Sequence, residues 1–240
     1  LIKRFISSII LLPLAFFFII QGSFLLIFFT VICFIIAFYE WHTMSKKKSY
    51  YIYGFLFLIF SFYTFYELST ELIFIFYVII VCSSTDIGGY VFGKIFKGPK
   101  LTKISPKKTY AGMIGGYFLS LISLFVIARF IEYETTLIQF LLTILISTVS
   151  QLGDIIISYF KRLSKIKNTG KLIPGHGGLL DRVDGMIFAF PIYYLINLKS
   201  LCFAYNSIAI SLSPFSNITN GSVTEITISA PQGVSLKDES

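Results

Sequence analysis

Charged residues are scarce in this chain of 240 residues, since Asp, Glu, Lys and Arg make up only 13% of it. A soluble domain typically carries about 25% charged residues. Hydrophobic residues account for 55% of the chain, so a water-soluble fold would expose far too much apolar surface. Because lone strands cannot satisfy their backbone groups in lipid, the composition predicts an all-α, polytopic integral membrane protein built as a helix bundle.

Cysteine and histidine are also few, which limits the metal and redox chemistry open to the chain. Cys33, Cys82 and Cys202 lie singly in or beside apolar runs and match no metal or disulfide spacing. We interpret them as small packing residues. The two histidines, His42 and His176, are too few and too far apart to indicate a His-based metal site.

Long apolar runs fill most of the sequence. A membrane helix needs about 20 apolar residues, and about seven segments approach that length. The predicted spans are 5–20, 23–40, 50–66, 71–89, 112–131, 136–157 and 185–203. The sequence thus divides into N-terminal membrane helices (1–111), catalytic membrane helices (112–203) and a Ser-, Thr- and Asn-rich tail (204–240), predicted to be disordered and assigned no function.

Lys and Arg occur in alternate loops, whereas the remaining loops are neutral or acidic. This positive-inside pattern predicts that the N-terminus and every basic loop are cytoplasmic. The two longest polar loops, 90–111 and 158–184, then share one face and can build one site together. The net charge of +8 favours anionic partners such as phosphates, nucleotides or acidic lipid headgroups. Nucleic acid is not expected, because its recognition needs an exposed soluble module.

Four aspartates lie at the predicted cytoplasmic ends of three spans. Asp181 and Asp184 are three residues apart and share a face if that segment is helical. Mg²⁺ typically takes one or two carboxylates and completes its shell with water and phosphates. We therefore predict Mg²⁺ ligands at Asp154, Asp181 and Asp184. The alternative is interfacial acids paired with nearby Lys and Arg, and for Asp86 the two interpretations carry equal weight.

A glycine-rich stretch precedes the last predicted span. Gly175, Gly177 and Gly178 surround His176, and their backbone N–H groups can form a nest for an anion. A helix beginning near Leu179 would point its positive end at that anion. The alternative is a plain turn between two helices. The histidine could contact a phosphate or transfer a proton, or be a hydrogen-bonded structural residue.

Cations accompany these acids and glycines. Ser158, Lys161 and Arg162 lie within five residues of one another, where they could help to bind a polyphosphate. The alternative is ordinary positive-inside decoration. Carboxylates, a glycine nest and cations together indicate transfer of a phosphorus group, although the sequence has no GxxxxGK[ST] loop and no kinase signature. The further cations expected at the site are Lys107, Lys108 and Arg182.

The candidate site residues fall in four sequence segments, which together form a more specific pattern than any single residue. They are QLGD at 151–154, SYFKR at 158–162, PGHGG at 174–178 and DRVD at 181–184. Together they resemble the signature of the phosphatidate cytidylyltransferase (CDP-diacylglycerol synthase) family. DIGGY at 86–90, SPKKT at 105–109 with Gly112, and Glu40-Trp41 are similar to further motifs of that family. Two departures stand out. Asn168 replaces an Asp usual in the family, and Ala111 replaces a Glu, with Tyr110 in place of Trp.

The resemblance implies a nucleotidyltransferase that joins CTP and phosphatidic acid into CDP-diacylglycerol and pyrophosphate, with Mg²⁺, in phospholipid biosynthesis. It implies a multi-pass protein of a bacterial-type inner membrane, with a cytoplasmic site and a homodimer as one option. The implied catalytic residues are Lys161, Arg162, His176 and Arg182. The implied substrate-binding residues are Asp86, Ser105, Lys107, Lys108, Thr109, Ser158, Gly175, Gly177 and Gly178. The implied metal ligands are Asp154, Asp181 and Asp184.

Two other functions remain open on the sequence. One is a different CTP- or CDP-using lipid enzyme, such as a polyprenol or phytol kinase or a CDP-alcohol phosphotransferase. The other is an anion transporter or channel that uses the same basic loops. A transporter would favour broken helices paired across an inverted repeat, and no such repeat is visible in the sequence.

Overall fold

The computed structural model describes residues 13, 15–46, 48–102, 104–105, 108–131, 135–170 and 177–197. All of them belong to one compact unit. The predicted tail at 204–240 and most of the predicted span at 5–20 lie outside these residues. So do Lys107, Gly175 and His176 of the predicted site. The predicted division of the chain at residue 111 stays a prediction.

Helices account for almost all of the described secondary structure. An isolated antiparallel bridge pairs Lys100 with Thr109, and the described residues form no β-strand. The predicted all-α class is therefore confirmed. The helices are α1 (15–21), α2 (Ser23–Ser45), α3 (Tyr51–Leu68), α4 (Leu72–Phe96), α5 (Tyr110–Ile131), α6 (Leu137–Leu163), α7 (Leu180–Val183) and α8 (Met186–Asn197).

Five of these helices, α2 to α6, are long and apolar enough to cross a membrane. They correspond to the second through sixth predicted spans, so the polytopic membrane class is confirmed. The seventh predicted span, 185–203, is described only as far as residue 197, and its helix α8 is shorter. Large side chains such as Phe24 and Phe130 point outward, at 73% and 85% exposure, as expected for surfaces that face lipid.

Two helices run further than the apolar runs predict. The spans predicted at 71–89 and 136–157 continue as helix to Phe96 and Leu163. Hydropathy marks only the apolar part of a helix, whereas the backbone continues for as long as its hydrogen bonds are made. The polar residues at the ends of these two spans therefore lie on rigid helices rather than in loops.

Glycines set the contact between α4 and α5. A side chain at Gly88 would strike the carbonyl of Gly115, and a Cβ at Gly112 would lie 2.6 Å from the carbonyl oxygen of Gly89. In lipid there is little hydrophobic force between helices, so small residues that let backbones approach are the usual basis for packing. The result is a close pair that fixes the start of α5 against α4.

Hydroxyl groups tie the helices together across the bundle. Thr85 on α4 donates to Ser147 on α6 at 2.9 Å. Ser61 on α3 donates to the carbonyl of Ile187 on α8 at 2.6 Å. In an apolar surrounding such groups need internal partners, and these bonds fix α6 and α8 relative to α3 and α4.

The connector between α4 and α5 folds back on itself. It leaves α4 through Lys97 and Gly98, which have φ angles of 52° and 88°. The Leu101 N–H then donates to the carbonyl of Lys108 at 2.8 Å. Thr109 ends the connector as the N-terminal cap of α5, because its hydroxyl accepts the Gly112 N–H at 3.1 Å. Lys108 is thereby held at a fixed place beside the helix ends.

Candidate active site

One face of α6 carries several of the predicted site residues. Asp154 and Ser158 are four residues apart, and the Ser158 hydroxyl donates to Asp154 Oδ1 at 3.4 Å. Lys161 follows on the same side, about one turn further along the helix. Arg162 is exposed instead, and its guanidinium donates to the carbonyl of Ile166 at 3.5 Å.

Lys108 joins the α4–α5 connector to this face. Its ammonium lies 2.5 Å from Asp154 Oδ2 and donates to the carbonyl of Gln151 at 3.3 Å. This contact brings the 90–111 segment to the polar end of α6, whereas the meeting of loops 90–111 and 158–184 at one site stays a prediction. The other connector residues have local roles, since Ser105 closes a turn through its backbone groups and Thr109 caps α5.

Asp184 reaches Asp154 because α8 lies very close to α6. A side chain at Gly185 would strike the Ser150 hydroxyl, and a Cβ at Gly153 would lie 2.9 Å from the carbonyl oxygen of Asp184. Burial, and then the neighbouring Asp154 carboxylate, raise the pKa of Asp184 well above its usual range.

Asp86 completes an acidic cluster with this pair. Its carboxylate, on α4, interacts electrostatically with Asp154, Asp184 and Lys108. We use the term acidic cluster for Asp86, Asp154 and Asp184 together. Across the described residues, no three Asp, Glu, His or Cys side chains are arranged as a ready metal-binding group.

Asp181 is bound separately from the acidic cluster. Its Oδ1 accepts the Lys161 ammonium at 2.9 Å, with the two side chains only 12% and 11% exposed. Its Oδ2 accepts the Thr169 N–H at 2.9 Å and the Gly178 N–H at 3.2 Å. The predicted metal set therefore falls into two parts: Asp154 and Asp184, which interact electrostatically with each other, and Asp181, which is bound by its own neighbours.

We call residues 164–180 the signature loop, and its glycines Gly177 and Gly178 pack around carboxylates of the chain. Gly177 has a φ of 94°, and a Cβ there would lie 2.9 Å from Asp181 Oδ2. A side chain at Gly178 would strike Thr169 and the carboxylate of Glu40. Among these described residues, the anion that receives the Gly178 N–H is Asp181.

Glu40 is the site residue that we did not include in the predicted set. It lies on α2, is 1% exposed, and accepts hydrogen bonds from three groups of the signature loop. The donors are the Thr169 hydroxyl at 2.9 Å, the Leu179 N–H at 2.8 Å and the Leu180 N–H at 2.9 Å. The available signal was an acid near the end of an apolar span, a costly place for an unpartnered charge.

The fold and this site define a multi-pass membrane protein whose helix ends bring acidic and basic side chains together. The chain belongs to the cytidylyltransferase family, whose model matches residues 49–199.

Named relatives agree with that assignment. The chain is 39% identical over 143 residues to a phosphatidate cytidylyltransferase of Staphylococcus aureus (strain COL), covering 58% of this chain and 55% of the relative. It is 40% identical over 130 residues to the phosphatidate cytidylyltransferase of Staphylococcus haemolyticus (strain JCSC1435), covering 53% and 50%. The chain thus spans about half the length of the curated relatives that it matches.

Proposed function

We propose that this chain transfers the cytidylyl group of CTP to phosphatidic acid, forming CDP-diacylglycerol and pyrophosphate. The observation that carries the proposal is the acidic cluster at membrane helix ends, with Lys108 and Lys161 bound beside it. Family membership and the printed name of the relatives support it. A site at the helix ends suits this substrate, because diacyl tails can stay in lipid while the headgroup meets a soluble nucleotide.

The reaction depends more on the positioning of its substrates than on proton transfer. An oxygen of the lipid phosphate attacks the α-phosphorus of CTP, a new P–O bond forms, and the bond to the β-phosphate breaks to release pyrophosphate. The nucleophile is already anionic, so no strong general base is needed, and alignment with charge stabilisation supplies most of the rate. Lys108 and Lys161 are the cations best placed to exchange their carboxylate partners for phosphate oxygens.

Mg²⁺ fits the donor set of the acidic cluster. Asp154 and Asp184 are neighbouring carboxyl groups that interact electrostatically, and a cation held by both would relieve their repulsion. We propose that these two hold Mg²⁺ with Asp86 nearby, and that Asp181 supports the site through Lys161. When bound, the ion would neutralise charge on the triphosphate. Roles for Arg162, His176 and Arg182 in phosphate binding remain part of the proposal.

The membrane orientation and the partners are also proposals. The positive-inside pattern supports a cytoplasmic site in a bacterial-type inner membrane. CTP, phosphatidic acid and the bilayer are the proposed partners, a homodimer is the proposed assembly, and no nucleic acid is involved. The proposal assigns the product to phospholipid biosynthesis.

The test is a direct assay of the purified chain in lipid nanodiscs. CTP labelled at the α-phosphate, MgCl₂ and phosphatidic acid should yield labelled CDP-diacylglycerol and an equal amount of pyrophosphate. Asp184→Asn should abolish the product, whereas Glu71→Gln, the same kind of change at an exposed acid, should not. Release of CDP instead of pyrophosphate would favour the lipid-kinase alternative. Anion flux across liposomes without CTP turnover would favour the transporter.

A further inference from the structure

We infer that Glu40 is a positioning residue of the active site. It holds the segment that carries Asp181, and Asp181 in turn fixes the position of the Lys161 ammonium for the reaction. This inference rests on the proposed function and deepens it. Glu40 lies on α2, far in sequence from the signature loop, yet the three hydrogen bonds described for its carboxylate all come from that loop. Glu40 therefore connects α2 to the segment that carries the active-site residue Asp181.

The geometry uses both carboxylate oxygens. Oε1 accepts the Leu179 N–H, while Oε2 accepts both the Leu180 N–H and the Thr169 hydroxyl. A buried carboxylate is costly unless it is fully hydrogen-bonded, and three bonds of 2.8 to 2.9 Å meet that need. The two backbone donors are the N–H groups of Leu179, the N-cap of α7, and of Leu180, its first residue. N–H groups at the start of a helix have no partner inside it.

Glu40 and Asp181 bind the same two segments from two sides. Thr169 donates its N–H to Asp181 and its hydroxyl to Glu40. The backbone at 178–180 likewise donates from Gly178 to Asp181 and from the next two residues to Glu40. We call this arrangement the carboxylate clamp. Movement of Glu40 would therefore move Asp181, and with it the Lys161 ammonium.

The space around the Glu40 carboxylate is tightly packed, so neighbouring glycines leave no room for a larger side chain. A Cβ at Gly170 would lie 2.6 Å from Glu40 Oε1, and one at Gly178 would strike the same carboxylate. The packing of α2 on its neighbours is served by other residues, since Trp41 is buried and donates to the carbonyl of Tyr51 at 3.0 Å. The interactions of Glu40 thus serve the loop, not the general assembly of α2.

The first test compares Glu40→Gln with the control Glu71→Gln. Glutamine keeps the shape but replaces one acceptor oxygen by a donor, so at least one loop N–H loses its partner. We expect kcat for CDP-diacylglycerol formation to fall about 10- to 100-fold, as for a small misplacement of reacting groups. KM for phosphatidic acid should stay the same, because the loss falls on the transition state. Glu71→Gln should leave both kcat and KM for phosphatidic acid unchanged.

The second test uses Thr169, which bridges the two carboxylates. Thr169→Val removes the hydroxyl and should lower kcat, whereas Thr169→Ser keeps the hydroxyl and should restore it. Because both changes weaken the same clamp, Glu40→Gln combined with Thr169→Val should lose less activity than the product of the two single losses. Losses that simply multiply in the double variant would overturn the clamp.

Amide hydrogen exchange separates this inference from the proposed function. In Glu40→Gln, faster exchange confined to the peptides covering 169 and 178–183 supports positioning of that segment. Unchanged exchange with unchanged kcat overturns it, and so does faster exchange throughout the chain, which would make Glu40 a general stabiliser. If the unmodified protein shows no CTP turnover, the proposed function fails, and the exchange result alone then decides whether Glu40 holds the loop.

Discussion

The buried ion pair between Lys161 and Asp181 gives a prediction that separates stability from catalysis. Asp181→Asn keeps the size of the side chain and can still accept the two backbone N–H groups. It places a neutral amide against the Lys161 ammonium, however, at a position where both side chains are about nine-tenths buried. The cost is that of a buried charge without its counter-ion.

The size of the effect follows from the burial of the pair. Breaking a buried pair from one side typically costs about 3 to 5 kcal/mol. We expect about 3 kcal/mol here, at the low end, because the Lys161 ammonium also interacts with Asp184 and can move toward it. For a chain of this size that corresponds to a fall of about 6 to 12 °C in Tm.

The assay is a double-mutant cycle on thermal unfolding in detergent, followed by circular dichroism. Lys161→Met and Asp181→Asn should each destabilise the protein, and the double variant should recover, with a coupling energy of about 2 to 3 kcal/mol. Lys167→Met, a change at an exposed lysine, is the control and should leave Tm unchanged. All three variants of the pair should lack CDP-diacylglycerol synthesis.

Two outcomes would contradict this reasoning. Additive losses of stability would show that the two side chains are not energetically coupled in the folded protein. Recovery of activity in the double variant would show that the pair supports only the fold, so that neither Lys161 nor Asp181 takes part in the chemistry.

Two further predictions concern Asp184 and the residue after it. Because burial and Asp154 raise the pKa of Asp184 in the folded chain, the free energy of unfolding in metal-free buffer should fall as the pH rises from about 4 through the raised pKa. Asp184→Asn should make the free energy of unfolding less dependent on pH over this range. Equal slopes of unfolding free energy against pH in the variant and the unmodified chain would contradict the prediction. Gly185→Ala places a methyl group on Ser150 and should cost about 1 to 3 kcal/mol in thermal unfolding. Gly89→Ala, whose nearest atom is 3.7 Å away, is its control, and equal Tm values would contradict the close approach.

Apolar runs were sufficient to predict the membrane helices, because lipid imposes a minimum length that composition can report. They could not predict where α4 and α6 end. Lys94, Ser158 and Lys161 interrupt the apolar pattern, yet they continue the helix because their backbone hydrogen bonds are unaffected. Sequence reasoning therefore gave the right elements with ends that were too early.

Charge alternation predicted that the two longest polar loops lie on one face of the membrane. It could not predict which individual side chains contact one another. Lys108 lies against Asp154 only because the connector folds back and Thr109 caps α5. Asp184 reaches Asp154 only because Gly185 packs against Ser150. Those contacts depend on backbone approach, which a pattern of residue types does not report.

The separation of Asp181 from the acidic cluster was the least accessible feature. Spacing placed Asp181 and Asp184 one helical turn apart, and Asp184, the C-cap of α7, does have helical backbone angles. What spacing could not report is that Asp181 is bound by Lys161 and by the Thr169 N–H. The role of Glu40 was equally hidden, since its partners are 129 to 140 residues away in the sequence.

That sequence distance constrains how the protein is made. At about 5 to 20 residues per second, the ribosome finishes Leu180 about 7 to 28 seconds after Glu40 has been synthesised, because 140 residues separate them. Throughout that interval the acid near the end of α2 lacks the three donors that satisfy it in the finished protein. Nascent chains stopped before residue 180 would thus carry an unsatisfied acid at the bilayer edge, a feature by which quality-control proteases could distinguish unfinished copies from complete ones.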